Sequence, residues 1–444
     1  PTFIPHTLRR AYGLPTAERK EAEISYSFYR MIARAEEVWL VYNANTEGMT
    51  SGEMSRYLYQ LVYAYHPEGL TLVVKNYHVD VFPHNDIRIE KSDIAMTRLA
   101  DFLPDAPVDS RRYFSASAIR QLLDCELKFD LEYVAGFQMP DEVKSYIDDS
   151  IYGKIVHETF ECLYNHQARK QNRADGGALL TSQLLSSLMR DPLVDRHIIR
   201  SINHIYHSRK GAEIASVSDE LDTPLDGEST MFAALIKKSV IRVLEAEAEW
   251  LKDKYEVIYM HGESDDRLSL SLTSDLRINF RHIIDRIDLV RDTQQSEPYL
   301  RLVDYKTGRE ELRASTVGHL VDYGLSGDNV PPHGITQLML YCNSYSELTG
   351  NIGRIQPFIY NLRDIVNSGS IEEIKVGPAS VDPATGKMSR SLPILTDYRD
   401  INDEFMTLMS EKISRLFDNT VPFEQPESDR NCRYCNFREI CNRG

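Results

Sequence analysis

The sequence predicts an α/β protein whose main domain has a mixed central sheet flanked by helices. The apolar pattern of strands runs through residues 257–305, and helical apolar spacing both precedes and follows it. The predicted order is helix, antiparallel strands, helix and strand. This order is typical of a domain in which helices pack against a sheet that has both antiparallel and parallel neighbours.

The first 110 residues are predicted to form a separate unit. Apolar side chains at helical spacing predict a helix at 18–35, and a second helix at 53–65 ends before Pro67. Strands are predicted at 38–42, 70–75 and 86–89. Pro104 and Pro107 punctuate the linker that follows, so the domain boundary is placed at about residue 110.

Residues 111–444 are predicted to form the α/β domain. Ser115 or Ser117 would cap a helix that ends near Cys125. A longer helix at 152–168 precedes a helical insertion at 170–250, which a polar loop at 216–230 interrupts. The remaining elements are strands at 257–260, 268–272, 276–290 and 300–305, a helix at 336–348, strands at 356–360 and 374–376, and a helix at 397–417.

The bulk composition excludes several classes of protein. No apolar run in the 444 residues approaches the roughly 20 residues of a membrane span, and no leader opens the chain, so a cytoplasmic location is expected. A formal charge of −16 argues against a protein that coats nucleic acid non-specifically, but it leaves room for a local basic groove. The start at Pro1, without an initiator Met, suggests a segment of a longer protein.

Four of the six cysteines form a divided pattern. Cys125 stands alone, whereas Cys432, Cys435 and Cys441 follow near the end of the chain with C-x2-C-x5-C spacing. Clustered cysteines in a chain of this length are typical of metal ligation in a reducing cytosol, not of a disulfide scaffold. Three thiolates need a fourth to complete a tetrahedral or cubane centre. If Cys125 supplies it, the centre staples the two ends of the domain together.

A second set of residues has the types that metal-dependent phosphodiester hydrolysis needs. Asp304 and Lys306 face the same side of one strand, and Asp285 on the neighbouring strand can reach the same spot. With the imidazole of His157, the two carboxylates would hold Mg²⁺ or Mn²⁺, and Lys306 would position water or stabilise developing charge. The alternatives are an edge salt bridge for Asp304 and Lys306, and a purely structural role for His157.

The order of these motifs resembles that of a known family. The motifs are G-x3-H-x3-E from Gly153, I-I-D-R-I-D from Ile283, V-D-Y-K-T-G from Val303 and Q-L-x2-Y from Gln337. Together they resemble the RecB-like branch of the PD-(D/E)XK nucleases, which implies a restriction-endonuclease-like mixed sheet. The divided cysteine set is similar to the iron–sulfur staple of AddB-type nuclease domains and of related CRISPR-associated exonucleases.

This resemblance covers about residues 112–444 and implies a role for each matching residue. The implied metal ligands are His157, Asp285 and Asp304. The implied catalytic residues are Asp285, Asp304, Lys306, Gln337 and Tyr341. The implied ligands of a [4Fe–4S] cluster, with Zn²⁺ as the alternative, are Cys125, Cys432, Cys435 and Cys441. Asp288 is expected to play a supporting part paired with Arg286, and His282 replaces a glycine that the family usually carries.

Residues 28–42 are similar to the last helicase motif of UvrD-like superfamily 1 motors. Arg34 matches the arginine that touches the nucleotide γ-phosphate, but Ala33 replaces the family's threonine. No G-x4-G-K-[ST] loop occurs in the sequence, so no ATPase activity is expected. Residues 1–110 are therefore interpreted as a partial remnant of a superfamily 1 helicase-like domain.

Three functional hypotheses follow. The first is a metal-dependent DNA exonuclease or endonuclease domain of an AddB-like helicase–nuclease in double-strand break repair, with an AddA-like partner. The second is a catalytically idle, cluster-stapled module that channels single strands of DNA. The third replaces the cluster with zinc in a structural domain. The complete His-Asp-Asp-Lys set favours the first hypothesis, because an idle domain has no chemical need for all four residues.

Overall fold

The computed structural model describes residues 5–42, 46–47, 50–51, 54–73, 87–137, 146–207, 224–252, 254–292, 297–323, 331–378, 392–426 and 430–443. The chain forms two compact units. The first comprises Pro1–Pro83 with Asp226–Glu228, and the second comprises His84–Leu225 with Ser229–Gly444. None of the helices among the described residues has the length and apolar character that crossing a membrane requires.

The first unit is mainly helical. Its elements are α1 (His6–Ala11), α2 (Ala17–Ile32), β1 (Thr46–Glu47), β2 (Thr50–Ser51) and α3 (Arg56–Tyr59), which continues as a π-helical turn at Gln60–Tyr65. The side chain of Thr16 caps α2 by accepting a hydrogen bond from the Arg19 amide. The helices predicted at 18–35 and 53–65 are therefore present, with shorter bounds.

Of the three strands predicted in the first 110 residues, the one at 86–89 is present at Arg88–Ile89, whereas the other two are not found among the described residues. Residues 38–42 and 70–73 are not in a strand, and residues 74–75 lie outside the described part of the chain. Trp39 is 82% exposed and Val41 is 91% exposed. The prediction at 38–42 was wrong because a short apolar run becomes a buried strand only where a sheet exists to receive it.

The second unit is built on a five-stranded mixed sheet. From residue 84 onward the strands are β3 (Arg88–Ile89), β4 (Ala178–Leu180), β5 (Tyr255–Ser271), β6 (Arg277–Asp292), β7 (Tyr299–Lys306), β8 (Arg313–Ala314), β9 (Ile355–Asn361), β10 (Lys375–Val376) and β11 (Phe423–Glu424). The central sheet has the order β4-β5-β6-β7-β9, with antiparallel pairs from β4 to β7 and a parallel pair between β7 and β9. Outside it, β3 pairs with β11 and β8 pairs with β10.

Helices cover both faces of this sheet. They are α4 (Asp93–Ala100), α5 (Ala116–Asp124), α6 (Glu126–Phe129), α7 (Asp149–Gln171), α8 (Ser182–Leu188), α9 (Pro192–Ile202), α10 (Gly227–Leu251), α11 (His333–Thr349), α12 (Leu362–Ser368) and α13 (Arg399–Phe417). π-helical turns occur at Asp130–Val134 and Asn203–His207, and 3₁₀ turns occur at Val317–Leu320 and Arg430–Cys432.

Two hydrophobic cores hold the helices to the sheet. One core joins α5, α11 and α13 to it and includes Leu302 of β7. The other core joins α7, α9 and α10 to it and includes Val303, the next residue of the same strand. Successive side chains of a strand point to opposite faces, so β7 supplies both cores. The predicted α/β class, with a mixed central sheet flanked by helices, is confirmed.

Most predicted elements of this unit are present, although α4, α12 and the short strands β8 and β11 were not predicted. The strands predicted at 257–260 and 268–272 are parts of one long strand, β5. Strand β4 was not predicted, because its three residues are too few to show a period. In the predicted loop at 216–230, residues 216–223 lie outside the described residues, and residues 227–230 belong to α10.

The second unit also begins earlier than the boundary predicted near residue 110. Strand β3 pairs with β11, which comes from the end of the chain. Leu99 of α4 and Phe102 are buried in the same core as Phe114. The segment around Pro104 and Pro107, predicted to be a linker, is therefore packed against the sheet domain. The spacing of the prolines did not indicate this packing.

Candidate active site

Three of the predicted site residues form a closed set of contacts where β7 meets α11. The ammonium of Lys306 lies 2.9 Å from Asp304 Oδ2 and donates a hydrogen bond of 2.8 Å to Gln337 Oε1. The amide nitrogen of Gln337 donates a 2.8 Å bond to Asp304 Oδ1. Each side chain is thus fixed by the other two, which holds Lys306 beside the Asp304 carboxylate.

Two further predicted residues form a pair beside this set. His157 Nδ1 of α7 lies 3.3 Å from Asp285 Oδ2 of β6. The backbone amide of Tyr305, the residue between Asp304 and Lys306, donates a 2.8 Å bond to the same oxygen of Asp285. The antiparallel register of β6 and β7 pairs Arg286 with Val303 and so brings Asp285 close to Asp304, as predicted for a neighbouring strand.

Electrostatic interactions couple His157, Asp285, Asp304 and Lys306. Burial alone would lower the pKa of His157, but the carboxylates of Asp285 and Asp304 raise it to about 9. Burial would raise the pKa of Asp285, yet the His157 cation beside it holds that pKa below its usual value. Burial raises the pKa of Asp304 in spite of the Lys306 ammonium. The two carboxyl groups thus differ in how strongly they hold a proton.

A cavity of about 580 Å³ opens beside these residues. Lys306, Gln337 and the sixth predicted residue, Tyr341, lie on its wall. The rest of the wall is rich in cations and hydroxyl groups and includes Ser115, Ser117, Arg120, Arg281, Arg309 and His333. We call this cavity the catalytic groove, after the predicted catalytic residues on its wall. Its size is that of a small-molecule or nucleotide subsite, and its lining suits a polyanion.

The metal ligands of the site stay a prediction. Among the described residues, no three His, Cys, Asp or Glu side chains form a group that could hold a metal ion as they stand. His157 is instead paired with Asp285, and Lys306 with Asp304. The donor chemistry nonetheless fits a hard cation, because Asp304 Oδ2 is a buried carboxylate oxygen that already faces a cation, the Lys306 ammonium at 2.9 Å.

The four predicted cluster cysteines line one other cavity, of about 1310 Å³, which we call the cysteine cavity. Cys125 Sγ accepts a hydrogen bond from the Lys128 amide at 3.3 Å, and Cys435 Sγ accepts one from the Phe437 amide at 3.4 Å. Burial is the main cause that raises the pKa of Cys125 to about 11, and the other three thiols also raise it. The four cysteines thus share one cavity but, among the described residues, do not form a group that could hold a metal ion as they stand, so the cluster stays a prediction.

A buried charge network, which the sequence did not indicate as a whole, lies against β6 and β7, the strands that carry the two predicted aspartates. It consists of Arg286, Asp288, Arg301 and Glu247, all essentially inaccessible to solvent. Arg286 donates to Asp288 at 2.8 Å and to Glu247 at 2.6 Å, and Arg301 donates to Asp288 at 2.7 Å. The two guanidinium groups balance the two carboxylates. The expected pairing of Arg286 with Asp288 is thus observed, whereas Glu247 and Arg301 were missed.

This charge network reaches the site through one tyrosine. Arg286 Nη1 donates a 3.1 Å bond to the Tyr305 hydroxyl. The ring of Tyr305 stacks on Phe160 with a centroid separation of 4.8 Å and meets the His157 ring edge-on at 5.8 Å. The backbone of the same residue binds Asp285. The network is therefore one residue away from both members of the His157–Asp285 pair.

The histidine that replaces the family's usual glycine is accommodated inside the fold. His282 is fully buried, and its Nδ1 lies 2.7 Å from Ser344 Oγ of α11. Its Nε2 lies 3.4 Å from Asp266 of β5. The imidazole thus links three elements of the domain and leaves the two aspartates in place.

Comparison with known proteins decides the family. The model of the PD-(D/E)XK nuclease superfamily matches residues 113–442. The chain belongs to this superfamily. The B-type subunit of the ATP-dependent helicase/deoxyribonuclease of Ruminiclostridium cellulolyticum is 22% identical to it over 266 residues, which is 50% of this chain and 23% of that protein. The chain therefore spans about a quarter of the length of this relative.

The superfamily match covers the parts of the fold that contain the predicted site residues. The matched region begins just before α5 and contains the five-stranded sheet, the catalytic groove and the cysteine cavity. A PD-(D/E)XK nuclease domain is thus shown, and the sequence prediction is confirmed at this level. The AddB-like assignment, the metal ions and the roles of single residues go beyond it.

Proposed function

We propose that this chain carries the metal-dependent deoxyribonuclease of an AddB-like helicase–nuclease that acts in double-strand break repair. The closed contact set of Asp304, Lys306 and Gln337, with Asp285 and His157 beside it, carries the proposal within a nuclease superfamily domain. The relative that is named as part of a helicase/deoxyribonuclease supports the AddB-like assignment. An AddA-like protein is the proposed partner, and the cytoplasm the proposed location.

Each side chain has a task that follows from its position. Lys306 is a point charge held at the wall of the groove, where it can stabilise charge that develops on a phosphate. Gln337 orients both Lys306 and Asp304 through its amide. Tyr341 lines the groove next to them. His157, Asp285 and Asp304 are the proposed ligands of Mg²⁺ or Mn²⁺, which when bound would supply Lewis-acid activation of water and of the phosphate.

Digestion of end-labelled DNA tests the proposal. Single-stranded and duplex substrates are incubated with the protein and with Mg²⁺, Mn²⁺ or EDTA. Cutting that requires the divalent ion is the expected result. Binding of DNA without any cutting under either ion would instead support the idle, strand-channelling module.

Replacing Lys306 with alanine is expected to lower kcat by about 10²- to 10³-fold, the usual cost of removing one stabilising charge from a transition state. Binding of Mn²⁺, followed by calorimetry, should stay within a few-fold of the parent value, because Lys306 is not a proposed ligand. Lys237→Ala, which removes a surface lysine paired with Asp195, is the matched control and should cut normally. An unchanged rate in Lys306→Ala would remove this residue from the mechanism.

The cysteine cavity is proposed to hold a [4Fe–4S] cluster that staples α5 to the last turn of the chain. The protein isolated without oxygen is expected to be brown, with broad absorbance near 400 nm, whereas bound zinc would leave it colourless. Cys435→Ala should lose this absorbance and lower the melting temperature. Cys162→Ala, which changes a cysteine outside the cavity, should keep both. Full absorbance in Cys435→Ala would show that the four cysteines are misassigned.

A further inference from the structure

The catalytic groove and the cysteine cavity share one side chain. Arg120 of α5 lies on the wall of both. The helix that carries it is capped by Ser115 in the groove and is followed by Cys125 in the cysteine cavity. A ligand that leaves the groove along α5 therefore passes Arg120 and arrives at the cysteines.

Positive charge is concentrated at this junction. Arg120, Lys306 and Arg430 come from three separate segments, and after burial their charges lower the pKa of His333 to about 3. The histidine is therefore neutral at physiological pH. Acidic neighbours offset part of this positive charge. Asp124 lies 3.8 Å from Arg120, and Glu310 also interacts with Arg120. The Arg120 guanidinium remains exposed to solvent.

An exposed aromatic ring marks the far end of the same path. Tyr434 is 95% exposed, although it lies in the short segment between Cys432 and Cys435. It lines the cysteine cavity together with Arg433 and Arg438. An exposed aromatic ring next to cationic side chains is the kind of site on which unpaired bases stack.

We propose that Arg309, Arg120, Arg430 and Tyr434 form a binding tract for one single strand of nucleic acid that enters or leaves the catalytic groove. The arginines bind successive backbone phosphates, and one base stacks on Tyr434. A single strand is specified because the bases inside a duplex are already stacked and paired, so only an unpaired base can use the ring. This inference rests on the proposed nuclease function and adds to it the form of the substrate.

Binding is measured by fluorescence anisotropy of a labelled 20-nucleotide thymidine strand in EDTA, over a range of salt concentrations, with the full chain. Arg120→Ala is expected to weaken binding about tenfold and to reduce the salt dependence by about one phosphate contact. Tyr434→Ala is expected to weaken binding about tenfold with an unchanged salt dependence, because stacking releases no counterions. Tyr434→Phe, which keeps the ring, should bind like the parent. Neither tyrosine variant should alter binding of a blunt duplex.

The controls separate this inference from the nuclease assignment. Arg242→Ala removes a surface arginine of α10 paired with Glu245 and should bind normally. Parent-like binding by both Arg120→Ala and Tyr434→Ala overturns the tract, even if the protein cuts DNA. Equal weakening of duplex binding in Tyr434→Ala overturns the single-strand assignment. If the variants change DNA binding as expected but the protein cuts no DNA with Mg²⁺ or Mn²⁺, the proposed nuclease function is wrong and the binding tract is still supported.

Discussion

Replacing Asp304 with asparagine is expected to abolish DNA cutting while the fold stays intact. The loss in kcat should be on the order of 10³-fold or more, because the change removes a carboxylate that the Lys306 ammonium and the proposed cation share. The melting temperature should be equal to or above that of the parent. Burial raises the pKa of the Asp304 carboxyl in spite of the Lys306 ammonium, so the charge of Asp304 is a cost to the folded state.

The control for this variant is Asp195→Asn, the same chemical change at a partly exposed position of α9, which should leave cutting unchanged. Initial rates on end-labelled DNA and thermal melts followed by circular dichroism give the two readouts. Parent-like cutting by both Asp304→Asn and Asp285→Asn would place the active site elsewhere. Loss of cutting together with a large fall in melting temperature would mean that Asp304 is mainly structural.

The sequence alone located these residues because strand alternation is a strict constraint. The run from Leu302 to Lys306 alternates between the two faces of β7, so Asp304 and Lys306 share a face whatever the rest of the fold does. The apolar run of β6 fixed the second aspartate in the same way. Gln337 and His157 followed from helical spacing and from the resemblance to a nuclease family. Contacts of this kind depend on local periodicity, which one sequence displays.

Other parts of the molecule depend on contacts that no local period reveals. The signal for Glu247 was a single acid on the helix face that carries Val243 and Leu251, both of which are buried. The signal for Arg301 was a charge on the apolar face of β7, between Tyr299 and Val303. Each of these two charged residues departs from the apolar pattern of its own face, and the sequence around it does not show its partner. Only the tertiary fold shows that Glu247 and Arg301 lie 3.6 Å apart, with Arg286 bound to Glu247 and Asp288 bound to Arg301.

The buried network also explains why the helical insertion matters to the site. Glu247 lies on α10, which the sequence presents only as part of a helical segment between the motifs. Its carboxylate accepts hydrogen bonds from the hydroxyls of Tyr164 at 2.6 Å and Tyr360 at 2.9 Å, in addition to the one from Arg286. These partners belong to α7 and β9. One side chain therefore ties α10 to the helix of His157 and to the sheet.

Replacing Glu247 with glutamine is expected to lower the free energy of unfolding by about 3–5 kcal/mol, the usual cost of leaving a buried charge without its partner. The shape of the side chain is kept, so the loss reports the missing charge and not a cavity. Arg286 and Arg301 would then share only Asp288. Urea unfolding followed by circular dichroism gives the value. Glu256→Gln, which breaks an exposed pair with Arg291, should change it by no more than about 0.5 kcal/mol.

A double variant decides whether the charge itself is the cause. Glu247→Gln combined with Arg286→Met removes one charge of each sign and leaves Arg301 paired with Asp288. The double variant should be less destabilised than the sum of the two single variants, with a coupling of about 1–3 kcal/mol. Strict additivity would mean that the two groups do not interact, in spite of their 2.6 Å hydrogen bond. Because Arg286 also binds Tyr305, the folded fraction of Arg286→Met should cut DNA more slowly than Glu256→Gln, through a displaced His157–Asp285 pair.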